Sequence, residues 1–299
     1  MKKILITGAT GNVGIEVIRY LQKNNTSNKI VAGVRNIEKA KAVFENYPDL
    51  DFVDFDFEDS DTFVKALNKI DRVFLIRPPH ISDVSKYFAP LIDAMKKQHV
   101  TNVVFLSVQG AEKSKVIPHN KIERLIQDDG TDYIFLRPSY FMQNLSTTLH
   151  KDIQEKREII LPAGKAKFNW IDIKNIGEAA AILLDEFEDY KNQAYEITGQ
   201  ENRDFGEVTS LINEIIENPI RYRNVNPLTF YRIKKRDGMS RGMIMVMLLL
   251  HFLPRFQKEP RVSDFYERLT GKKPTGLKAF IKRERAKFER QADDGLNNG

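Results

Sequence analysis

The chain has 299 residues, 41% of them hydrophobic and 29% charged, which is enough for one large α/β domain or a domain with a smaller companion. It contains no cysteine, so disulfides, thiolate nucleophiles and thiolate metal sites are excluded, and a reducing, cytoplasmic setting is expected. The net charge is +6 and the isoelectric point about 9.2, a balance that by itself leaves open a contact with nucleic acid or another anionic surface.

The first residues read MKKILITGATGNVG. Two lysines would also open an export signal, but the apolar run ends after Ile4-Leu5-Ile6, so a strand is expected over 3–7. A helix follows over 13–23, with Ile15, Val17, Ile18 and Leu21 on one side, the side that packs on a sheet. Further strands are expected over 30–35, 51–56, 72–77, 102–107 and 133–137. Helical periodicity falls between them over 37–45, 62–67, 84–98 and 120–127. Such alternation with short connections makes parallel strands and crossover helices. Val103-Val104-Phe105-Leu106 is apolar on both faces, as in a sheet covered on both sides.

Beyond about residue 150 the alternation loosens. Strands are expected over 158–161, 168–173 and 195–198, a helix over 176–187, and mostly helix from 204 onward. The longest apolar run, Met243 to Leu250, falls far short of the ~18 residues of a membrane span, so no membrane partner is expected. Four methionines between Met239 and Met247 read as a pocket lid, a subunit contact or a buried helix. The basic excess includes Arg221, Arg223, Arg232, Lys234, Lys235, Arg236 and Lys282-Arg283-Glu284-Arg285. Interleaved glutamates make this a solvated face rather than a nucleic-acid surface, for which no motif is present. The polar end 291–299 is expected to fray.

The turn between the first strand and first helix, Thr7-Gly8-Ala9-Thr10-Gly11-Asn12-Val13-Gly14, carries three spaced glycines. Gly8 lets the chain turn out of the strand, Gly11 lets backbone approach a pyrophosphate, and Gly14 allows close packing of the helix. The helix start then offers free N–H groups and a positive dipole end to phosphates. Gly8, Thr10, Gly11, Asn12, Val13 and Gly14 are therefore expected to bind a dinucleotide. At the second strand tip, Val34-Arg35-Asn36 has no acidic residue to accept from a ribose hydroxyl, while Arg35 suits a 2′-phosphate. NADP(H) is expected over NAD(H). Asp56 and Phe57 fall where the adenine would lie. Ile76 and Arg77 end the fourth strand near the cofactor's centre, Arg77 meeting the pyrophosphate or facing solvent. The fold class is thus α/β: a Rossmann-type doubly wound parallel sheet with a smaller, mostly helical C-terminal domain on the substrate side. The expected bounds are 1–150 and about 170–200 for the first domain, and 151–169 and 201–290 for the second.

GATGNVG, VRN at 34–36 and FLRPSYFMQN at 135–144, extended by WIDIKNIGEAAA at 170–181, YEITG at 195–199 and the His119/Glu123 spacing in HNKIE, resemble the NmrA-like branch of the atypical short-chain dehydrogenases. That resemblance implies NADPH-dependent reduction of quinones or dyes, or, in sensor members, NADP binding without turnover. It also implies that Pro138 and Tyr140 lie by the nicotinamide, although Tyr140 and Phe141 read equally well as core aromatics. Ser107 matches the family's strand-end serine. With Glu123 setting the helix register, His119 falls where short-chain dehydrogenases place a lysine and Lys115 where they place a tyrosine.

Without that phenol, reduction of a ketone to a basic alkoxide is disfavoured, whereas a hydroquinone anion takes its proton from solvent or a histidine. The expected catalytic pair is Ser107, bonding the acceptor, and His119, holding the nicotinamide ribose or supplying a proton. The plain structural alternatives are a strand-end cap for Ser107 and a backbone-bonded helix start for His119. The five histidines show no metal-ligand spacing. The expected partner is a small apolar or aromatic electron acceptor, the chain being a homodimer or monomer, with a protein partner if it is a sensor.

Overall fold

The computed structural model describes residues 1–24 and 27–290; the tail expected to fray over 291–299 lies outside the described residues. In chain order the strands are β1 (Lys3–Ile6), β2 (Lys29–Val34), β3 (Asp51–Asp54), β4 (Arg72–Ile76), β5 (Asn102–Leu106) and β6 (Asp132–Pro138). There follow β7 (Tyr140–Phe141), β8 (Glu158–Leu161), β9 (Phe168–Ile171), β10 (Gln193–Ile197), β11 (Asn202–Arg203) and β12 (Arg221–Asn224). The helices are α1 (Asn12–Lys23), α2 (Ile37–Val43), α3 (Asp61–Ala66), α4 (Val84–Tyr87), α5 (Ala89–Lys97), α6 (Pro118–Asp129) and α7 (His150–Lys156). The remainder are α8 (Ile173–Asp185), α9 (Phe187–Tyr190), α10 (Phe205–Asn213), α11 (Pro227–Arg236), α12 (Arg241–Phe252), α13 (Phe265–Thr270) and α14 (Leu277–Arg283).

The chain forms two compact units. The first comprises Met1–Ser139, Ile173–Ile197 and Asp264–Lys272; the second comprises Tyr140–Asp172, Thr198–Ser263 and the chain from Lys273 on.

In the first unit seven strands lie in the order β10-β6-β5-β4-β1-β2-β3, all parallel. Alternate residues, Leu5, Val31, Leu75, Phe105 and Phe135, meet Phe57, Phe63, Phe88 and Leu91 on one face. Ile4, Ile6, Phe74, Val104 and Ile134 are buried on the other, where α1 and α8 lie. Burial on both faces explains why these strands lack polar alternation. Strand order reverses between β1 and β4, and in such sheets ligands enter the crevice at the carboxyl ends beside that reversal.

Local differences from the sequence reading have local causes. The helix expected over 84–98 is two, α4 and α5, because Pro90 lacks an N–H and disfavours helix in the residue before it. Ile15 is only half-buried, leaving Val17, Ile18 and Leu21 as the packing stripe of α1.

The second unit contains more strand than its sequence pattern indicates. β7 and β11 flank β9, β7 parallel and β11 antiparallel, and β12 pairs in parallel with β8. Two-residue strands carry no period, and Arg-Tyr-Arg-Asn in β12 is too polar to read as one. It forms because Arg221 and Arg223 both bind the buried Glu158 of β8. Lys234 likewise pairs, buried, with Asp152, and Arg283 with Asp172. Much of the basic excess is therefore structural. The Met-rich segment is α12, of which Ile244, Met247 and His251 are buried while Met243, Met245, Leu249 and Leu250 are exposed. The buried-helix reading thus holds for one face only.

Candidate functional site

The turn after β1 is built around Gly8 and Thr7. Gly8 sits at φ +60°, which side chains disfavour, and Gly11 N–H donates to its carbonyl (2.9 Å). The Thr7 hydroxyl donates to Phe74 O (3.0 Å) and accepts from Ile76 N–H (2.9 Å). One side chain thereby ties the tips of β1 and β4 across the point where strand order reverses.

Gly11 is the N-cap of α1 and supplies no side-chain cap, and no acidic residue occupies the first turn. The opening N–H groups and the positive helix end are therefore left to an anion. A Cβ on Gly11 would stand 3.1 Å from Gly8 O. One on Gly14 would collide with Gly8 O and lie 2.8 Å from Ala9 Cα, so Gly14 lets α1 pack on the turn itself. Gly8, Thr10, Gly11 and Asn12 are exposed along this edge, while Val13 and Gly14 are buried beneath it.

Arg35 stands exposed just past β2, with no ion pair or hydrogen bond to its side chain among the described residues, and Asn36 beside it caps α2 through Lys39 N–H (2.9 Å). Asp56 accepts from Glu58 N–H (3.0 Å), which shapes the turn after β3. The Phe57 ring is not available to flank an adenine. It is 6% exposed and packs on Phe55 and Phe88 with ring centres 5.0 and 5.1 Å apart, so apolar burial outweighs a surface role. Arg77 is half-buried rather than turned to solvent. Its guanidinium donates to the carbonyls of Pro78 (2.9 Å), Pro79 (3.2 Å) and Ile81 (2.6 Å), bracing the loop after β4. Ile76 is half-buried, its side chain 3.5 Å from where a Cβ on Gly8 would be.

Ser107 follows β5, with its N–H donating to Leu136 O (2.8 Å). Its hydroxyl is buried and has no partner among the described residues, so it does not cap the strand. Asn120 Oδ1, in the first turn of α6, is in the same condition. Orphaned buried polar atoms are rare in native proteins; the other two among the described residues are Arg72 Nε and Arg157 Nε.

α6 is held to β6 by Arg137, which makes a two-bond contact with the buried Glu123 (2.9 and 2.7 Å) and a third with Glu112 (2.8 Å). Burial lowers the Arg137 pKa, but the bond and charge of Glu123 outweigh it and the guanidinium is raised overall. One turn earlier on α6, His119 Nε2 accepts a long bond from Arg77 Nε–H (3.4 Å), which leaves the ring proton on Nδ1. Burial first, and the Arg77 charge second, depress His119 to about 3. His119 is therefore a neutral imidazole at neutral pH, able to donate a hydrogen bond from Nδ1. Lys115 lies in an exposed turn before α6 begins, so no helical side chain takes the place of the absent phenol.

Pro138 ends β6 and its carbonyl accepts from Gln109 N–H (2.9 Å). Tyr140 begins the second unit, in an aromatic cluster with Phe168, Trp170 and Phe205. There His251 Nδ1–H donates to Met247 O (2.7 Å), so its Nε2 accepts from the Tyr140 hydroxyl (2.9 Å). Burial pushes Tyr140 well up and His251 down to about 4, so both are neutral. Thr7, Asn120 and His251 escape a sequence reading. Thr7 precedes the first glycine, yet its value lies in a contact 67 residues away. His251 sits alone in an apolar run with no second histidine at ligand spacing.

The parallel sheet, its reversal between β1 and β4, and the glycine-lined turn define a Rossmann-type α/β protein. The chain belongs to the NmrA-like family, whose model matches residues 1–281, as its motifs indicate. It is 30% identical over 279 residues to prestalk A differentiation protein A of Dictyostelium discoideum, covering 93% of this chain and 91% of that protein. It is 28% identical over 289 residues to NAD(P)H azoreductase of Xenophilus azovorans, covering 95% and 99%. Its fold matches an NADPH-dependent quinone oxidoreductase of Escherichia coli, crystallised with NADPH, at a TM-score of 0.83 and 22% identity over 94% of this chain and 99% of that one.

Proposed function

We propose that this chain is an NADPH-dependent oxidoreductase that passes hydride to a quinone-like or dye-like acceptor. The observation that carries the reading is the pairing, in one unit, of an uncapped glycine cradle at α1 with an unpartnered buried hydroxyl at Ser107. The names of the azoreductase and the quinone oxidoreductase agree with it.

The residues present fit a dinucleotide. The first N–H groups of α1 hold the pyrophosphate, with Gly11 admitting it, and Arg35 binds a 2′-phosphate. Asp56 and the backbone at Phe57 would border the adenine, and Ile76 and Pro138 the nicotinamide. Bound NADPH supplies the hydride. Ser107 donates to the acceptor oxygen, on which negative charge grows as hydride arrives at the ring. His119, neutral and with its proton on Nδ1, offers a second hydrogen bond to the ribose or acceptor, and solvent supplies the proton that completes a hydroquinone. A stabilised phenolate needs no strong acid beside it, which suits a site lacking the phenol.

The test is to mix the protein with NADPH and a panel of quinones and azo dyes and to follow NADPH absorbance. Oxidation that falls at least about a hundredfold in Ser107→Ala supports the assignment, in line with losing a donor to developing charge. Arg35→Ala is expected to weaken NADPH by about tenfold or more while leaving NADH nearly unchanged, as titration calorimetry would read; equal losses would remove the case for NADP. The exposed Lys115 turn, with no phenol, favours a second reading, a redox-sensing NADP(H)-binding regulator. Tight NADPH binding without turnover on any acceptor would establish that one instead.

A further inference from the structure

α12 is apolar on both faces, and only one is covered. Ile244, Met247 and His251 are buried in the second unit. At 100° per residue, Met245, Val246, Leu249 and Leu250 share an arc of about 140° on the opposite side, all exposed. Leu253 and Phe256 of the following turn, Leu253–Phe256, are exposed as well, Phe256 by 74%. Seven of the thirteen exposed large apolar side chains among the described residues lie between Met243 and Phe256. The outer side of a helix in water ordinarily carries charge, and a contiguous apolar stripe marks a contact.

The charge carried by the stripe's own segment is basic. From Gly238 to Lys258 the sequence holds no aspartate or glutamate, while Arg241 precedes the stripe and Arg255 and Lys258 follow it. Beside its end, within the same unit, a groove of about 540 Å³ is lined by Lys165, Lys167, Arg255 and Lys258; Lys165 pairs with Asp204 (3.6 Å) and Lys167 with Glu259 (3.7 Å), which leaves Arg255 and Lys258 with no ion pair among the described residues. Gly164, at φ +58°, makes room there: a Cβ on it would stand 2.8 Å from Arg255 Nε.

We propose that the α12 face and this groove dock on an anionic lipid bilayer, apolar side chains entering the acyl boundary and basic ones meeting headgroup phosphates. Lying on the surface is the mode open to it, since no described helix is long and apolar enough to cross. Complementarity selects lipid over a second copy of the chain, because a two-fold contact through α12 would bring Arg241, Arg255 and Lys258 against their own kind. The docking surface stands whether or not the reductase reading does.

The full chain would be sedimented with phosphatidylcholine vesicles, with and without phosphatidylglycerol. Binding to the phosphatidylglycerol vesicles, declining with salt, is expected. Arg255→Gln with Lys258→Gln should weaken partitioning about 30-fold, taking roughly fivefold per basic residue at the surface. Leu249→Ser with Leu253→Ser should weaken it at least about tenfold. The chain has no cysteine, so Met245→Cys carrying an environment-sensitive fluorophore should shift blue on the same vesicles, a readout independent of how the double variants fold. No binding to either vesicle, equal binding to both, or an unshifted fluorophore would overturn the proposal. So would light scattering that finds a dimer which Leu249→Ser with Leu253→Ser dissociates.

Discussion

At Gly14 one hydrogen atom holds the cofactor turn together. A methyl there would meet Gly8 O and Ala9 Cα, both backbone, and neither rotates away. Gly14→Ala is expected to cost about 1–3 kcal/mol, read by urea denaturation, and to abolish NADPH heat in calorimetry. The two depressed histidines act on the whole fold through pH. His119 and His251, neutral down to about 3 and about 4, take up protons near 6.5 once unfolded. The unfolded state therefore binds more protons over that interval, and stability falls as pH drops from about 6.5 toward 4, by a few kcal/mol per histidine at most. Denaturation series at several pH values should show that slope, and His251→Gln should flatten it. The glycines were readable because a tight strand-to-helix turn demands them, Gly8 for its φ of +60° and Gly14 for the close approach of Gly8 O. Phe57 and Arg77 were not, because a phenylalanine or arginine at a strand end serves core, loop or ligand, and only tertiary neighbours decide which.

Among elements, α1 and α8 test how far propensity yields to packing. In a helix interior, alanine is worth about 1 kcal/mol over glycine. In α8, however, a Cβ on Gly177 would stand 2.5 Å from Glu16 Cβ and 2.8 Å from the Glu16 carbonyl carbon of α1. Gly177→Ala is thus expected to lower stability by about 1–3 kcal/mol despite the better helix former, as thermal melts would register. The seven parallel strands were legible almost to the residue, because burial on both faces leaves runs such as Val103–Leu106 with no other use. In the second unit β8 and β9 were legible, expected over 158–161 and 168–173, but β7 and β11 are two residues long and β12 owes its pairing to Glu158, which is 63 positions from Arg221.

For the molecule as a whole, the chain passes between the two units at five places, the last two just before Asp264 and just before Lys273. The segment between them carries α13, whose buried Tyr266 bonds Glu178 (2.5 Å) and Asn175 (2.8 Å) in the first unit. Cutting the chain after Ser263 removes that anchor along with Leu277, Phe280 and Ile281 of the second unit's core. Loss of the cooperative transition in circular dichroism is expected, whereas a truncated chain melting like the full one would refute this account. The same threading sets a schedule for synthesis. A chain still on the ribosome has made its cofactor turn within the first dozen or so residues, yet the unit bearing that turn stays unfinished until nearly the last helix emerges. Nascent protein therefore carries an incomplete sheet unit until α13 has been made.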